Sequence, residues 1–236
     1  MTRRRVQLVE PGRVPYDRAL AWQRTLAQAR IDGRLKEDLL LLLEHPPVVT
    51  LGRTAHEENV LRPEGLDVVA VERGGDVTFH GPGQLVGYPI FDLREPPFRQ
   101  DLHWFLRTLE GALIVALAEL GISAGRKAGL TGVWTEGGRK IASIGIHVKQ
   151  WVTWHGFALN VTTDLAQFER IVPCGIRDVE MTSVERETKA PATEDMWAHT
   201  LDAVVRGFDK AFSVELTASR NGVTELRRAG LSLTHA

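Results

Sequence analysis

One cysteine occurs in the chain, Cys174, within Ile171-Val172-Pro173-Cys174-Gly175-Ile176. Pro173 restricts the approach of the backbone, and Gly175 leaves room beside the sulfur for a ligand's carbonyl group. A thiolate in that setting can attack an acyl carbon and hold the acyl group as a thioester. A lone cysteine is more often a small, inert core residue, so the segment alone leaves both readings open. Lys140 is the second residue of interest. It shares strand parity with Ala142, Ile144, Ile146 and Val148, an apolar face on which it is the one charge. At a strand end it can snorkel to water. Turned inward it requires an anion, and a thiolate is suited to the role, because a nearby cation lowers a cysteine pKa from its usual value of about 8.5. A desolvated lysine could later accept a proton from an incoming amine.

A third segment runs Arg73-Gly74-Gly75-Asp76-Val77-Thr78-Phe79-His80-Gly81-Pro82-Gly83-Gln84. It joins a cation and paired glycines to a short strand ending in histidine, a composition able to wrap an acyl or phosphate-bearing ligand. The spacing is not that of a P-loop and no helix follows, so this route does not lead to nucleotide binding. His80 and His155 could each orient a catalytic group, whereas His147 falls opposite the apolar face of its strand. No histidine, cysteine or carboxylate shows close metal-ligand spacing, so no metal and no cofactor is expected.

Several elements must position these residues. Ala19, Trp22, Leu26 and Ala29 predict a helix over 16–31, opened after Pro15 and closed before Gly33. Leu39 to Leu43 and Val48 to Leu51 read as short buried strands separated by a double proline, and Val77 to His80 and Gln84 to Ile90 as two more. Phe105, Leu109, Leu113, Ala116 and Leu120 form one helical stripe from Leu102, ended by Gly121. Gly132 to Thr135 and Lys140 to Val148 form a hairpin around a glycine turn, followed by a strand from Trp151 to Val161. Thr193 caps a final helix carrying Trp197, Leu201, Val204, Val205, Phe208 and Phe212, before a polar tail over 213–236. The expectation is a single catalytic domain over 1–236, with its core in 15–212. Its class is α+β, a mostly antiparallel or mixed sheet packed by helices.

Composition limits the function classes. The chain has 236 residues, 43% hydrophobic and 25% charged, with a formal net charge of -1. That balance gives no general attraction for nucleic acid or anionic membranes. The longest aliphatic run, Leu39 to Leu43, is far shorter than the roughly 20 residues of a membrane helix. The basic start Arg3-Arg4-Arg5 is not followed by the apolar stretch of a secretory signal. A cytoplasmic protein is expected, with one thiol and no internal disulfide.

These segments resemble the lipoyl(octanoyl) transferase family in their order along the chain. The likeness rests on Arg73 to Gln84, Gly132-Val133-Trp134, Arg139 to Gly145, His155 to Val161, and Pro173 to Ile176. It spans roughly residues 15 to 210. The resemblance implies the fold of the biotin and lipoate protein ligases. It further implies transfer of an octanoyl group from octanoyl-acyl carrier protein, through a thioester on Cys174, to a lysine of a lipoyl domain. Acceptors would be the lipoyl domains of 2-oxoacid dehydrogenases and the glycine cleavage H protein. By position, Lys140 would lower the Cys174 pKa. Arg73, Gly74, Gly75, Asp76, Val77, Thr78, Phe79 and His80, with Ser143, Ile144, Gly145, Gly156, Phe157 and Ala158, would line the acyl substrate, and His155 would orient it. Phe79 departs from the family's usual tyrosine, which removes a hydroxyl. Two rivals remain. One is an ATP-dependent lipoate or biotin protein ligase, in which Cys174 is dispensable. The other is a non-catalytic acyl-binding module. Docking to an acidic carrier would need a local basic surface, for which Arg94, Arg99, Arg107, Arg126 and Lys127 are candidates.

Overall fold

The computed structural model describes residues 3–176 and 179–218; the side chain of Cys174 and the tail beyond Ala218 lie outside the description. Eleven strands and four α-helices follow one another as β1 (Arg4–Arg13), α1 (Tyr16–Ile31), β2 (Asp38–Glu44), β3 (Val48–Leu51), β4 (Asp67–Ala70), β5 (Val77–His80) and β6 (Gln84–Ile90), then α2 (Leu102–Glu119), β7 (Ala124–Lys127), β8 (Leu130–Thr135), β9 (Lys140–Lys149), β10 (Val152–Asn160), α3 (Val184–Thr188), α4 (Glu194–Phe212) and β11 (Val214–Ala218). The main sheet has eight strands in the order β11-β1-β2-β6-β10-β9-β8-β7. β1 runs parallel to both β11 and β2, and the remaining neighbours are antiparallel. A second sheet has the order β4-β3-β5.

The Leu39 to Leu43 run is explained by layering. Leu40 and Leu42 join the core under α2 and α4, with Leu85, Phe157, Leu159 and Phe208. Leu39, Leu41 and Leu43 face the opposite way, with Trp22 and Leu26 of α1. A strand buried on both faces reads as a continuous apolar run rather than as an alternation. Helix starts follow local chemistry: Asp101 accepts from the Trp104 N–H and Thr193 from the Met196 N–H, each an N-cap bond. Ser213 ends α4 in the left-handed conformation with φ +56°.

Two expectations are corrected. The basic start runs into a strand, β1, and the stretch after Ser213 opens with a strand that pairs with it. Val6 and Val214 are fully buried, so the core extends beyond 15–212 at both ends. The reason is long-range pairing: β1 is held between β2 and β11, and β11 lies at the sheet edge against β1. The five candidate docking cations are engaged locally. Arg94 pairs with Asp92, Arg107 and Arg126 with Glu110, and Arg99 and Lys127 lie over Trp104 and Trp134. No described helix is long and apolar enough to cross a membrane.

Candidate active site

Between the two sheets lies a narrow cleft of about 40 Å³. One wall is the glycine-rich loop and β5, through Arg73, Gly75, Asp76, Thr78 and His80. The other is Ser143, Ile144 and Gly145 of β9 with His155, Gly156, Phe157 and Ala158 of β10. Tyr16 of α1 and Tyr88 of β6 close it. Strand alternation sorts the remaining members of the expected set. Thr78 and His80 face the cleft, so Val77 and Phe79 have the opposite parity and pack with Phe168 and Ile171. Gly74 is not in the lining either; its N–H donates to the Ile146 carbonyl at 2.8 Å and ties the loop to β9. Close approach explains Gly145, where a Cβ would sit 2.7 Å from the Gly74 carbonyl oxygen.

Arg73 turns its guanidinium to backbone. It donates to the Thr50 carbonyl at 2.7 Å and the Asp76 carbonyl at 2.8 Å, and so fixes the loop that forms the wall. Asp76 reaches further: its carboxylate accepts from Asn59 Nδ2 at 2.8 Å. Asn59 in turn accepts from the Val172 N–H at 2.7 Å. The turn Pro173–Gly175 is thereby clamped beside the cleft. Gly175 has φ +67°, and a Cβ there would collide with the Asp76 carboxylate, so this position requires glycine twice over.

Lys140 is turned inward: it is 1% exposed and ranks among the largest fully buried side chains. Its ammonium lies 5.4 Å from the centre of the Trp134 ring, in cation–π range. Gly132 makes the passage for it, since a Cβ there would sit 2.9 Å from Lys140 Cε. The chain returning from Cys174 runs alongside. The Lys140 N–H donates to the Glu180 carbonyl at 2.8 Å, and the Thr182 N–H donates to the Lys140 carbonyl at 2.9 Å. The Pro173–Gly175 turn is thus tied to the glycine-rich loop, and Lys140 is tied to the chain at Glu180 and Thr182.

A buried amide relay joins Lys140 to the cleft. The His80 Nδ1–H donates to Gln84 Oε1 at 2.8 Å, Gln84 Nε2 donates to Asn160 Oδ1 at 2.9 Å, and Asn160 Nδ2 donates to the Thr182 carbonyl at 3.0 Å. Each donor has its acceptor, so the relay has one orientation. Among the described residues no group of three histidines, cysteines or carboxylates is placed to hold a metal ion. His147 is half-buried and bonds the Glu72 carbonyl at 2.9 Å through Nδ1. Tyr16, Tyr88, Asn59 and Asn160 had no sequence signal as site residues, because each enters through a tertiary contact.

The chain matches the family described as the lipoyl protein ligase A/B catalytic domain over residues 15–206. It is 59% identical to an octanoyltransferase of Gloeobacter violaceus, over 73% of this chain and 77% of that one. With an octanoyltransferase of a Nostoc species it shares 47% identity over 90% of this chain and 94% of the relative. The chain belongs to the octanoyltransferase family. Octanoyltransferases are acyltransferases, so the chain is an enzyme of that class. Among solved structures, lipoate-protein ligase A bound with ATP superposes with a TM-score of 0.75 at 18% identity, covering 98% of this chain and 93% of that one. A bipartite lipoate protein ligase from Thermoplasma acidophilum gives 0.70 at 18% identity, over 98% and 91%. These two establish a shared fold.

Three buried histidines give this octanoyltransferase family member a predictable acid sensitivity. Burial lowers His45 from 6.5 to about 4, although its Nδ1–H donates to the Val14 carbonyl. Burial also pushes His80 well below its usual value and lowers His155. The unfolded chain therefore binds more protons than the fold below about pH 6.5, and stability falls as pH drops through that window. His45 alone should cost about 2 kcal/mol between pH 7.5 and pH 5. Urea unfolding followed by tryptophan fluorescence should show a clearly lower midpoint at pH 5, and His45→Gln should flatten the dependence by up to one proton. An unchanged midpoint would mean the ring is not held neutral.

Proposed function

We propose that the protein transfers an octanoyl group from octanoyl-acyl carrier protein to a lysine of a lipoyl domain, by way of a thioester on Cys174. Cys174 thiolate attacks the donor's carbonyl carbon, and the bond from that carbon to the carrier sulfur breaks. The carrier leaves as its thiol, taking a proton from the Lys140 ammonium and leaving that amine neutral for the second step. A lysine amine of the lipoyl domain then attacks the enzyme thioester; the carbon–nitrogen bond forms, Cys174 departs as thiolate, and the amine proton passes to Lys140. Thioester exchange is nearly balanced and amide formation is downhill, so no ATP enters.

The observation that carries the reading is the buried Lys140, hydrogen-bonded through its backbone to the chain that leads back to Cys174. A cation beside a thiol favours the thiolate and lowers its pKa. The cleft, walled in part by Gly75, Gly145 and Gly156, suits an unbranched acyl chain. Acceptors would be the lipoyl domains of 2-oxoacid dehydrogenases and the glycine cleavage H protein, in the cytoplasm. The ligase reading draws on the shared fold, and one experiment separates the two. Incubation of the enzyme with octanoyl-acyl carrier protein and no nucleotide should add one octanoyl mass, labile to hydroxylamine and removed by a lipoyl domain. Acyl transfer that needs ATP and leaves no adduct would overturn the proposal in favour of a ligase.

A further inference from the structure

His155 is not used by that chemistry, and its situation is unusual. It is 1% exposed and neither ring nitrogen has a hydrogen-bond partner. Glu72 Oε2 stands 3.9 Å from Nε2, within ion-pair reach but beyond hydrogen-bond length. The adjacent Gln23 accepts from the His155 backbone N–H at 2.8 Å, yet its own Nε2 is buried without a partner. Buried polar atoms are rarely left so, and a cluster of them beside a cavity is a place where water is held. The backbone is bent to make this arrangement. Parity would put His155 with Phe157 and Leu159 beneath α2 and α4; instead φ is +56° and the ring lies edge-on to Tyr88 on the side of α1. A left-handed residue that is not glycine costs roughly 1–2 kcal/mol and persists only where packing enforces it.

His155 also stands at a definite depth. On β9 and β10, Ser143 pairs with Ala158 and Ile146 with His155. Three residue steps of strand, ~10 Å, therefore separate the end of the cleft nearer Lys140 from the histidine. An extended eight-carbon acyl group, built from carbon–carbon bonds of about 1.5 Å, is ~9 Å long.

We propose that His155 and Gln23 form a polar stop at the inner end of the acyl cleft, holding a buried water there, and that this stop sets the length of acyl chain the enzyme accepts. The proposal rests on the acyl-transfer reading above. An eight-carbon chain ends short of the stop. A longer one must expel the water and leave the imidazole unsatisfied, a penalty of roughly ten-fold or more in rate. With an apolar end instead, each added methylene would gain about four-fold from burial.

The test is competitive self-acylation, read by intact mass, with acyl carrier protein charged with hexanoyl, octanoyl, decanoyl or dodecanoyl groups. Wild type should favour octanoyl over decanoyl. His155→Leu should shift the decanoyl-to-octanoyl ratio at least ten-fold toward decanoyl, and Gln23→Leu should shift it in the same direction, which guards against a His155 variant that fails to fold. A ratio unchanged in a folded variant overturns the polar stop. No adduct on wild type with any chain length instead overturns the acyl-transfer reading, so the two failures are distinct.

Discussion

Cys174→Ser is expected to lower octanoyl transfer by about 10⁴-fold or more, the scale on which loss of a covalent nucleophile is felt. The reason is ionisation. A thiol beside a cation is substantially deprotonated near neutral pH, whereas a serine hydroxyl needs a base, and Lys140 as an ammonium is not one. Lys140→Met should do less, about 10²–10⁴-fold, and should do it differently. Without the cation the thiol pKa returns toward about 8.5, so alkylation by iodoacetamide should move to higher pH while Cys174 remains alkylatable. The paired measurement is octanoyl transfer to a lipoyl domain together with the pH profile of alkylation. A Lys140→Met enzyme with a normal alkylation profile would remove the lysine from the thiol's environment; a Cys174→Ser enzyme of near-normal rate would sink the thioester route entirely.

Much of this site is written locally. The Cys174 turn is legible because a proline and a glycine flank the one cysteine, and Gly175 proves to be required both by φ +67° and by the Asp76 carboxylate. The inward turn of Lys140 is legible because a charge interrupts an apolar strand. Elements whose pattern is their own, such as α1 over Tyr16–Ile31 and β6 over Gln84–Ile90, come out at the expected bounds. Elements made by partnership do not. β1 reads as a basic terminus because Arg4 and Arg5 look like surface charge, whereas Arg4 donates to Asp38 at 2.6 Å. The division of the 73–80 loop into cleft-facing and core-facing residues needed only parity, yet parity misleads at His155, where one left-handed residue turns the ring to the other face. Tyr16, Tyr88 and Asn160 stayed silent because a single residue type on a buried strand or helix does not say which neighbour it will meet.

Asp38→Ala should be the most destabilising single change, at about 3–5 kcal/mol. Asp38 is fully buried and its two oxygens serve three residues, Arg4 of β1, Arg30 of α1 and Asp92 just after β6. Oδ2 accepts from Arg4 of β1 at 2.6 Å, in both ion-pair and hydrogen-bond geometry, and Oδ1 accepts from Arg30 of α1 at 3.0 Å and from the Asp92 backbone at 2.9 Å. Burial holds the Asp38 carboxyl above its usual range despite both arginines. Desolvation therefore consumes much of the attraction, and the intact cluster adds little over an apolar one of the same shape. Removing the carboxylate alone is another matter. It leaves Arg30, 8% exposed, with Asp92 at 3.5 Å as its remaining acidic neighbour, and strands the Asp92 N–H. Against a typical total stability of about 5–15 kcal/mol, chemical denaturation should show a large loss. Asp38→Asn keeps an acceptor for the Asp92 N–H and should fall between. The combined variant Asp38→Leu with Arg30→Met should recover most of the loss, because the charge left behind is gone as well. If Asp38→Ala and the combined variant are equally unstable, the cost is cavity and lost β1 docking rather than an orphaned cation.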